Sequence, residues 1–132
     1  MLSALLDTNL CVRGLRDKPP QIRARLKAEQ GSVCISTIVL YELQVGAALS
    51  SRPDEGLSEV ELFASSLPVL EFDSAAAFHA ADIRADLTRR GSLIGAYDIL
   101  IAAHARSRGL KVITGNLREF QRVDGLRCED WL

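Results

Sequence analysis

Apolar residues are distributed along this chain in two alternating patterns. Short, nearly continuous apolar runs occur at Leu2–Leu6, Ser32–Ser36, Pro68–Phe72, Leu110–Ile113 and, more weakly, Leu126–Cys128. Runs of this length, bounded by Gly, Pro or polar residues, predict strands buried on both faces. Between them the apolar positions recur at helical spacing. This predicts helices over Thr8–Leu15, Pro20–Glu29, Thr37–Ser50, Asp54–Ser65, Ser74–Arg90 and Tyr97–Arg108, with a helical turn at Asn116–Phe120. The loops are short and marked by Lys18-Pro19-Pro20, Arg52-Pro53-Asp54 and Gly91-Ser92. Strands alternating with helices predict an α/β fold, a central parallel sheet of four to five strands flanked by helices on both faces. In such sheets ligand sites form outside the carboxyl ends of the strands.

End signals agree with these elements. Ser36 or Thr37 can cap the third helix, and Asp73 or Ser74 the long one. Gly91 follows Arg89-Arg90, and Gly109 follows Arg106-Ser107-Arg108, each a basic last turn closed by glycine.

Asp7 ends the first strand, in Leu5-Leu6-Asp7-Thr8-Asn9, and so stands at the ligand edge of the sheet. A helix N-cap explains it equally well. Glu42 lies on the apolar stripe Ile38, Tyr41, Val45 and Leu49, where a charge facing inward is costly unless paired or metal-bound. A partly exposed or ion-paired Glu at the stripe edge is the alternative. Asp98 opens the most apolar helix, where the helix N-terminus is expected to keep it ionised. Dipole complementation alone would also account for it. Glu119 forms, with Asn116, the sequence pattern of a capping box, beyond the strand Leu110–Ile113. Together the four acids are a hard-oxygen donor set without matching His or Cys ligands, which points to Mg²⁺ or Mn²⁺ rather than zinc. Such ions promote phosphodiester hydrolysis.

Charge adjusts this picture. The chain carries 16 bases and 17 acids, a net charge of −1, but with four acids committed to a site 13 remain, and the surface is left with an excess of base. That permits an RNA partner. Arg13, Arg16 and Lys18 follow the Asp7 loop and Arg118 adjoins Glu119, positions from which they can hold phosphates. A solvated helix face is the ordinary meaning of such charges. His79 and His104 sit among alanines without metal-ligand spacing, and structural roles are expected. Thr8, Asn9, Thr114 and Asn116 are expected to fix the carboxylates by hydrogen bonds.

The 132 residues suit one domain, 1–132. Aromatics make up only 5% of the chain, so the core must be aliphatic, and phosphate contacts are expected to outweigh base stacking. Cys11, Cys34 and Cys128 form no CxxC, and reduced thiols are expected. Met1–Leu6 is too short for a signal peptide, and no run approaches the roughly 20 apolar residues of a membrane span. A cytoplasmic protein is expected.

The ordered motifs Leu5-Leu6-Asp7-Thr8-Asn9, Ile35-Ser36-Thr37 through Tyr41-Glu42-Leu43 and Gly46, Ile94-Gly95-Ala96-Tyr97-Asp98, Ile101-Ala102-Ala103-His104-Ala105, Thr114-Gly115-Asn116-Leu117-Arg118-Glu119-Phe120 and the ending Gly125–Trp131 resemble the PIN-domain ribonucleases, specifically the VapC-type toxins of toxin–antitoxin pairs. The resemblance covers nearly the whole chain. It implies an α/β/α PIN fold, a Mg²⁺- or Mn²⁺-dependent endoribonuclease, and acidic metal-site roles for Asp7, Glu42 and Asp98, with Asp7 and Asp98 as direct ligands. Many PIN domains have a fourth Asp where this chain has Asn116, which leaves Glu119 as the fourth acid. The family further implies a homodimer, a hetero-oligomer with a VapB-like antitoxin that covers the site, and DNA binding only through that antitoxin. The ending is similar to that of members that cut transfer RNA in the anticodon loop.

Two other functions remain open on sequence. A metal-dependent phosphatase or phosphotransfer domain would carry a second Asp two positions after the first, where this chain has Asn9. A non-enzymatic interaction module would use the acids only as caps and surface groups.

Overall fold

The computed structural model describes residues 1–131. Its elements, in order, are β1 (Ala4–Leu6), α1 (Thr8–Arg16), α2 (Pro20–Ala28), β2 (Val33–Ser36), α3 (Thr37–Ala48), α4 (Pro53–Ser65), β3 (Val69–Leu70), α5 (Ser74–Arg89), α6 (Ala96–Ser107), β4 (Lys111–Ile113), α7 (Leu117–Phe120) and β5 (Cys128–Glu129). The strands form one five-stranded sheet in the order β3-β2-β1-β4-β5. Every pairing is parallel, with Leu5 opposite Cys34 on one side and Val112 on the other. Each predicted strand and helix is present. The strands are shorter at their ends than the apolar runs that announced them.

The strand order makes a topological switch point. From β1 the chain steps outward through β2 to β3, then returns to place β4 on the other side of β1. Right-handed crossovers put α1 to α4 on one face and α5 and α6 on the other. The carboxyl ends of β1 and β4 are therefore neighbours whose connections diverge, and a crevice opens between them.

The central strands are fully covered. Leu5, Leu6, Cys34, Ile35, Val112 and Ile113 are all inaccessible to solvent, packed against Leu10, Ile22, Val39, Ile83, Leu87 and Ile101. The core is aliphatic as expected, and among the described residues Phe120 is the one Phe, Tyr or Trp that is fully buried. All three cysteines are free.

The caps resolve the choices open in the sequence. Ser36 Oγ accepts from the Ile38 N–H at 3.1 Å, and Asp73 Oδ1 from the Ala76 N–H at 3.0 Å. Gly109 takes a left-handed φ of +68° just past the end of α6, a conformation that favours glycine.

Helix α3 differs from its predicted orientation. The stripe Tyr41, Val45 and Leu49 faces solvent, Leu49 at 83% exposure, whereas Val39 and Leu43 are buried. The helix is apolar nearly all round, so helical spacing alone offered two candidate core faces. Among the described residues no helix is long and apolar enough to cross a membrane.

Candidate active site at the carboxyl edge of the sheet

Asp7 sits at the switch point. Its residue exposure is 3%, and both carboxylate oxygens are engaged. Oδ1 accepts from the Leu10 N–H at 2.8 Å, and Oδ2 accepts from Thr114 Oγ1 at 2.6 Å across the β1–β4 junction. Thr114 is held in turn, since its Oγ1 accepts from the Asn116 N–H at 2.8 Å. These linked hydrogen bonds polarise one another and lock the carboxylate's direction. Asp7 thus serves as the α1 cap and as an inward-held acid, so the two readings of it are compatible. Burial pushes its pKa upward against the two hydrogen bonds, and the Glu42 charge adds to the rise.

Glu42 is half-buried, and its Oε1 accepts from Thr8 Oγ1 at 2.6 Å. The hydroxyl comes from the first residue of α1, next to Asp7, so β1–α1 fixes two of the acids. Glu42 therefore reaches the site from the flank of α3 rather than from a buried stripe.

Asp98 stands in the first turn of α6, after Gly95, which offers no side-chain cap. The glycine lies close to it: a Cβ there would be 3.2 Å from Asp98 Oδ2. The Asp98 pKa is pushed up to about 6, first by burial, then by a hydrogen-bonding contact with the Glu119 carboxyl and by the charges of Glu119, Asp7 and Glu42. The helix N-terminus therefore does not hold this pKa down, although a carboxyl at about 6 is still largely ionised at neutral pH. Desolvation and three neighbouring acids outweigh the helix-end dipole.

Glu119 owes its place to this contact and not to a capping box. Asn116 makes no side-chain cap bond to α7, and its own N–H is taken by Thr114. The strongest competing explanation for Glu119 is therefore absent.

The four acids approach from β1, α3, α6 and α7, and each of the other three acts on Asp98. Among the described residues no Lys or Arg forms an ion pair with any of them. Buried or half-buried carboxylates that repel one another and have no basic partner need a counter-charge. Among the described residues no three acids are arranged to hold an ion by themselves. A hard divalent cation bound by one or two carboxylates, with water completing its shell, would supply such a counter-charge.

Of the remaining candidates, Thr8 and Thr114 bond the acids directly, and Asn116 acts through its backbone. Asn9 is exposed and bonds none of the four acids among the described residues. Arg13 is near enough to lower the Asp7 pKa slightly. Arg16 ends α1, and Lys18 lies beyond it, about 15 Å along the helix axis from Asp7. Arg118 is exposed on α7 beside Glu119. The histidines are structural. His79 Nδ1 accepts from Arg106 Nε at 2.9 Å, while buried His104 pairs its Nδ1 with Ser36 Oγ at 2.7 Å and meets the edge of Phe72.

A model of the PIN domain matches residues 4–126. The chain belongs to the PIN-domain family. Its relatives lie in the VapC branch. A tRNA(fMet)-specific endonuclease VapC from Shigella flexneri is 49% identical over 131 residues, covering 99% of both chains. Ribonuclease VapC2 from Haemophilus influenzae strain Rd is 42% identical over 132 residues, covering all of both. Among solved structures, DNA-bound VapBC from Salmonella typhimurium matches with a TM-score of 0.96 at 49% identity over the full length of both chains. VapBC2 from Rickettsia felis, bound to a fragment of promoter DNA, matches at 0.93 and 32% identity, covering 99% of this chain and 100% of that one. The PIN fold expected from the sequence motifs is the fold observed.

Two grooves flank α1 and α4, and one of them reaches the PIN site. One of about 330 Å³ runs between α1, α3 and α4 and opens at Glu42, with Arg16 and Arg52 on its walls. A second, about 530 Å³ and lined by Leu26, Val33, Leu62 and Phe63, contains none of the four acids. Leu15 and Glu59 line both, so the two are neighbours.

Proposed function

We propose that this chain is a VapC-type toxin, a divalent-metal-dependent endoribonuclease that cuts initiator transfer RNA in the anticodon loop and is restrained by a VapB-like antitoxin. One observation carries the reading: four carboxylates without a basic partner, from four elements, converge at the switch point of a parallel sheet, where burial first and the neighbouring acids second push Asp98 up to about 6. The target RNA follows from the relatives' specificity, and the antitoxin from the VapBC complexes they form.

Asp7 and Asp98 are the residues that would hold Mg²⁺ or Mn²⁺ directly. When bound, such an ion neutralises the acids and polarises the phosphate. The chain's own contribution is positioning. The Thr114 and Leu10 donors fix both oxygens of Asp7, so that it meets its ligand without rearranging. Thr8 fixes one Glu42 oxygen and leaves the other for water. Burial and the neighbouring acids raise the Asp98 pKa to about 6, so that a bound cation would meet a carboxyl whose charge the fold leaves uncompensated. Arg13, close enough to act on Asp7, and exposed Arg118 beside Glu119 would hold the RNA backbone. A single-stranded loop suits this crevice because its backbone can be splayed into it.

The antitoxin reading is supported by these neighbouring grooves, one largely apolar and the other reaching Glu42. A peptide lying along them would bury its apolar residues in one and meet Arg16 and Arg52 in the other. DNA contact belongs to the antitoxin, and the toxin pairs with a second copy of itself.

Expression without antitoxin tests the reading. The wild-type chain is expected to arrest growth and leave one new RNA end within the initiator transfer RNA anticodon loop. Co-expression of the antitoxin should abolish both effects. Growth arrest with all transfer RNAs intact would contradict the assigned substrate.

A further inference from the structure

The chain has two tyrosines, and both stand at the rim of the carboxylate site. Tyr41 immediately precedes Glu42 on α3, and Tyr97 immediately precedes Asp98 on α6. Their ring centroids are 5.6 Å apart with planes inclined at 48°, and Tyr97 Oη donates to Tyr41 Oη at 3.3 Å. Both stay open to solvent, at 48% and 44% exposure. In a protein so poor in aromatics, two exposed rings in contact with each other need an explanation. The fold provides little, since neither ring belongs to the core.

We infer that Tyr97, propped by Tyr41, is a stacking platform for the nucleobase adjoining the scissile phosphate. The inference rests on the ribonuclease reading and deepens it. Consecutive residues on a helix lie about 1.5 Å apart along the axis and about 100° apart around it. The Tyr97 ring and the Asp98 carboxylate therefore present two adjacent surfaces at the same height, one π-faced and one for the phosphate. A nucleotide presents the matching pair, a base and a phosphate joined through one sugar. The hydroxyl–hydroxyl bond sets the angle of the Tyr97 ring and leaves its outer face free. At their present spacing the rings touch, so the base stacks on the outside of the pair instead of entering between them. Stacking on an aromatic side chain tolerates any base. This platform would thus fix the position of the cut relative to the crevice, leaving sequence choice to other contacts. On this reading base stacking works beside the phosphate contacts: the rings are few, but both are at the site.

Exposed Val45 and Leu93 lie close by in sequence, one turn after Tyr41 and four residues before Tyr97, and an apolar interface with a second copy is the competing use of the rings. The test separates the two. The probe is a synthetic initiator transfer RNA anticodon stem-loop, intact or with a single abasic nucleotide at each loop position in turn. It is cleaved by full-length wild type, Tyr97→Ala, Tyr97→Trp and Tyr97→Leu, and each protein is also examined by sedimentation. On the intact loop Tyr97→Ala should lower kcat/KM about ten-fold, mainly through KM, and Tyr97→Trp should recover most of the loss. At one loop position the abasic change should cost wild type a similar factor and Tyr97→Ala nothing further. Equal abasic losses in both proteins at every position would overturn the platform and leave the nuclease reading standing. Recovery of both activity and oligomeric state by Tyr97→Leu would assign the rings to a protein interface instead. An intact stem-loop after incubation with wild type and Mg²⁺ would remove the nuclease reading and the platform with it.

Discussion

Replacing Asp98 with Asn should make the metal-free protein more stable while abolishing its activity. The carboxyl's pKa stands at about 6 in the folded chain against an ordinary value of 3.8. At about 1.4 kcal/mol per pH unit, the ionised group would cost the fold ~3 kcal/mol at neutral pH. Asp98 is only half-buried, and solvent screening brings a realistic figure to about 1 kcal/mol. The sign follows from proton counting. The folded state binds the Asp98 proton more tightly than the unfolded state, so this group favours folding least when ionised. Its contribution is best below about pH 4, declines as pH rises through about 6 and stays unfavourable above. Asn cannot ionise and escapes the penalty. Circular dichroism melts in EDTA at pH 7.5 should therefore show Asp98→Asn melting about 4 °C above wild type. The gap should close towards pH 4. Adding Mg²⁺ should raise the wild-type Tm and move the variant much less. A variant that melts at or below wild type in EDTA at pH 7.5 would refute the claim that the acids repel one another across a shared site.

Three further outcomes follow from the hydrogen bonds and the close glycine. Thr114→Val keeps the shape but removes a donor from a buried carboxylate, and should cost about 2 kcal/mol in urea unfolding and weaken Mg²⁺ binding. Its destabilisation is opposite in sign to the Asp98→Asn effect, although both changes fall in one site. Thr8→Val releases Glu42 and should lower kcat about ten-fold with little change in Tm, read by steady-state cleavage. Gly95→Ala has ordinary backbone angles, with φ −56° and ψ 147°, but puts a methyl group 3.2 Å from Asp98 Oδ2. It should fold normally and lose activity at least several-fold in the same assay, an effect of misplacing one carboxylate.

Much of the fold is legible in the chain because apolar runs of strand length and helical repeats are local signals. Leu2–Leu6 and Leu110–Ile113 could be recognised as strands one at a time. That they lie side by side could not, because the register joining Leu5 to Val112 depends on packing across the whole molecule. This adjacency is what turns Asp7 and Thr114 into partners. Asp7 itself was legible from the end of its strand. Glu42 was found through a stripe that proves to face solvent; its true anchor, Thr8, comes from another helix. Asp98 was legible in position, but its electrostatics were not, since a first-turn acid looks stabilised until three other acids are brought beside it. Glu119 was obscured by a local capping pattern that the fold does not use, because Thr114 claims the Asn116 N–H first. The tyrosine pair is not legible locally, because Tyr41 reads as part of a helical stripe and Tyr97 as the start of another helix, and their contact joins α3 to α6 over 56 positions.

The central claim is that Asp7, Glu42, Asp98 and Glu119 act as one metal-dependent centre on RNA. It is tested most directly by single-turnover cleavage of end-labelled initiator transfer RNA by purified wild type, Asp7→Asn and Asp98→Asn, with Mg²⁺ or with EDTA. The account predicts one anticodon-loop cut by wild type with Mg²⁺, none in EDTA, and at least a hundred-fold loss in each variant with their folds intact by circular dichroism. Cleavage by both variants at the wild-type rate, or at the same site in EDTA, would contradict it.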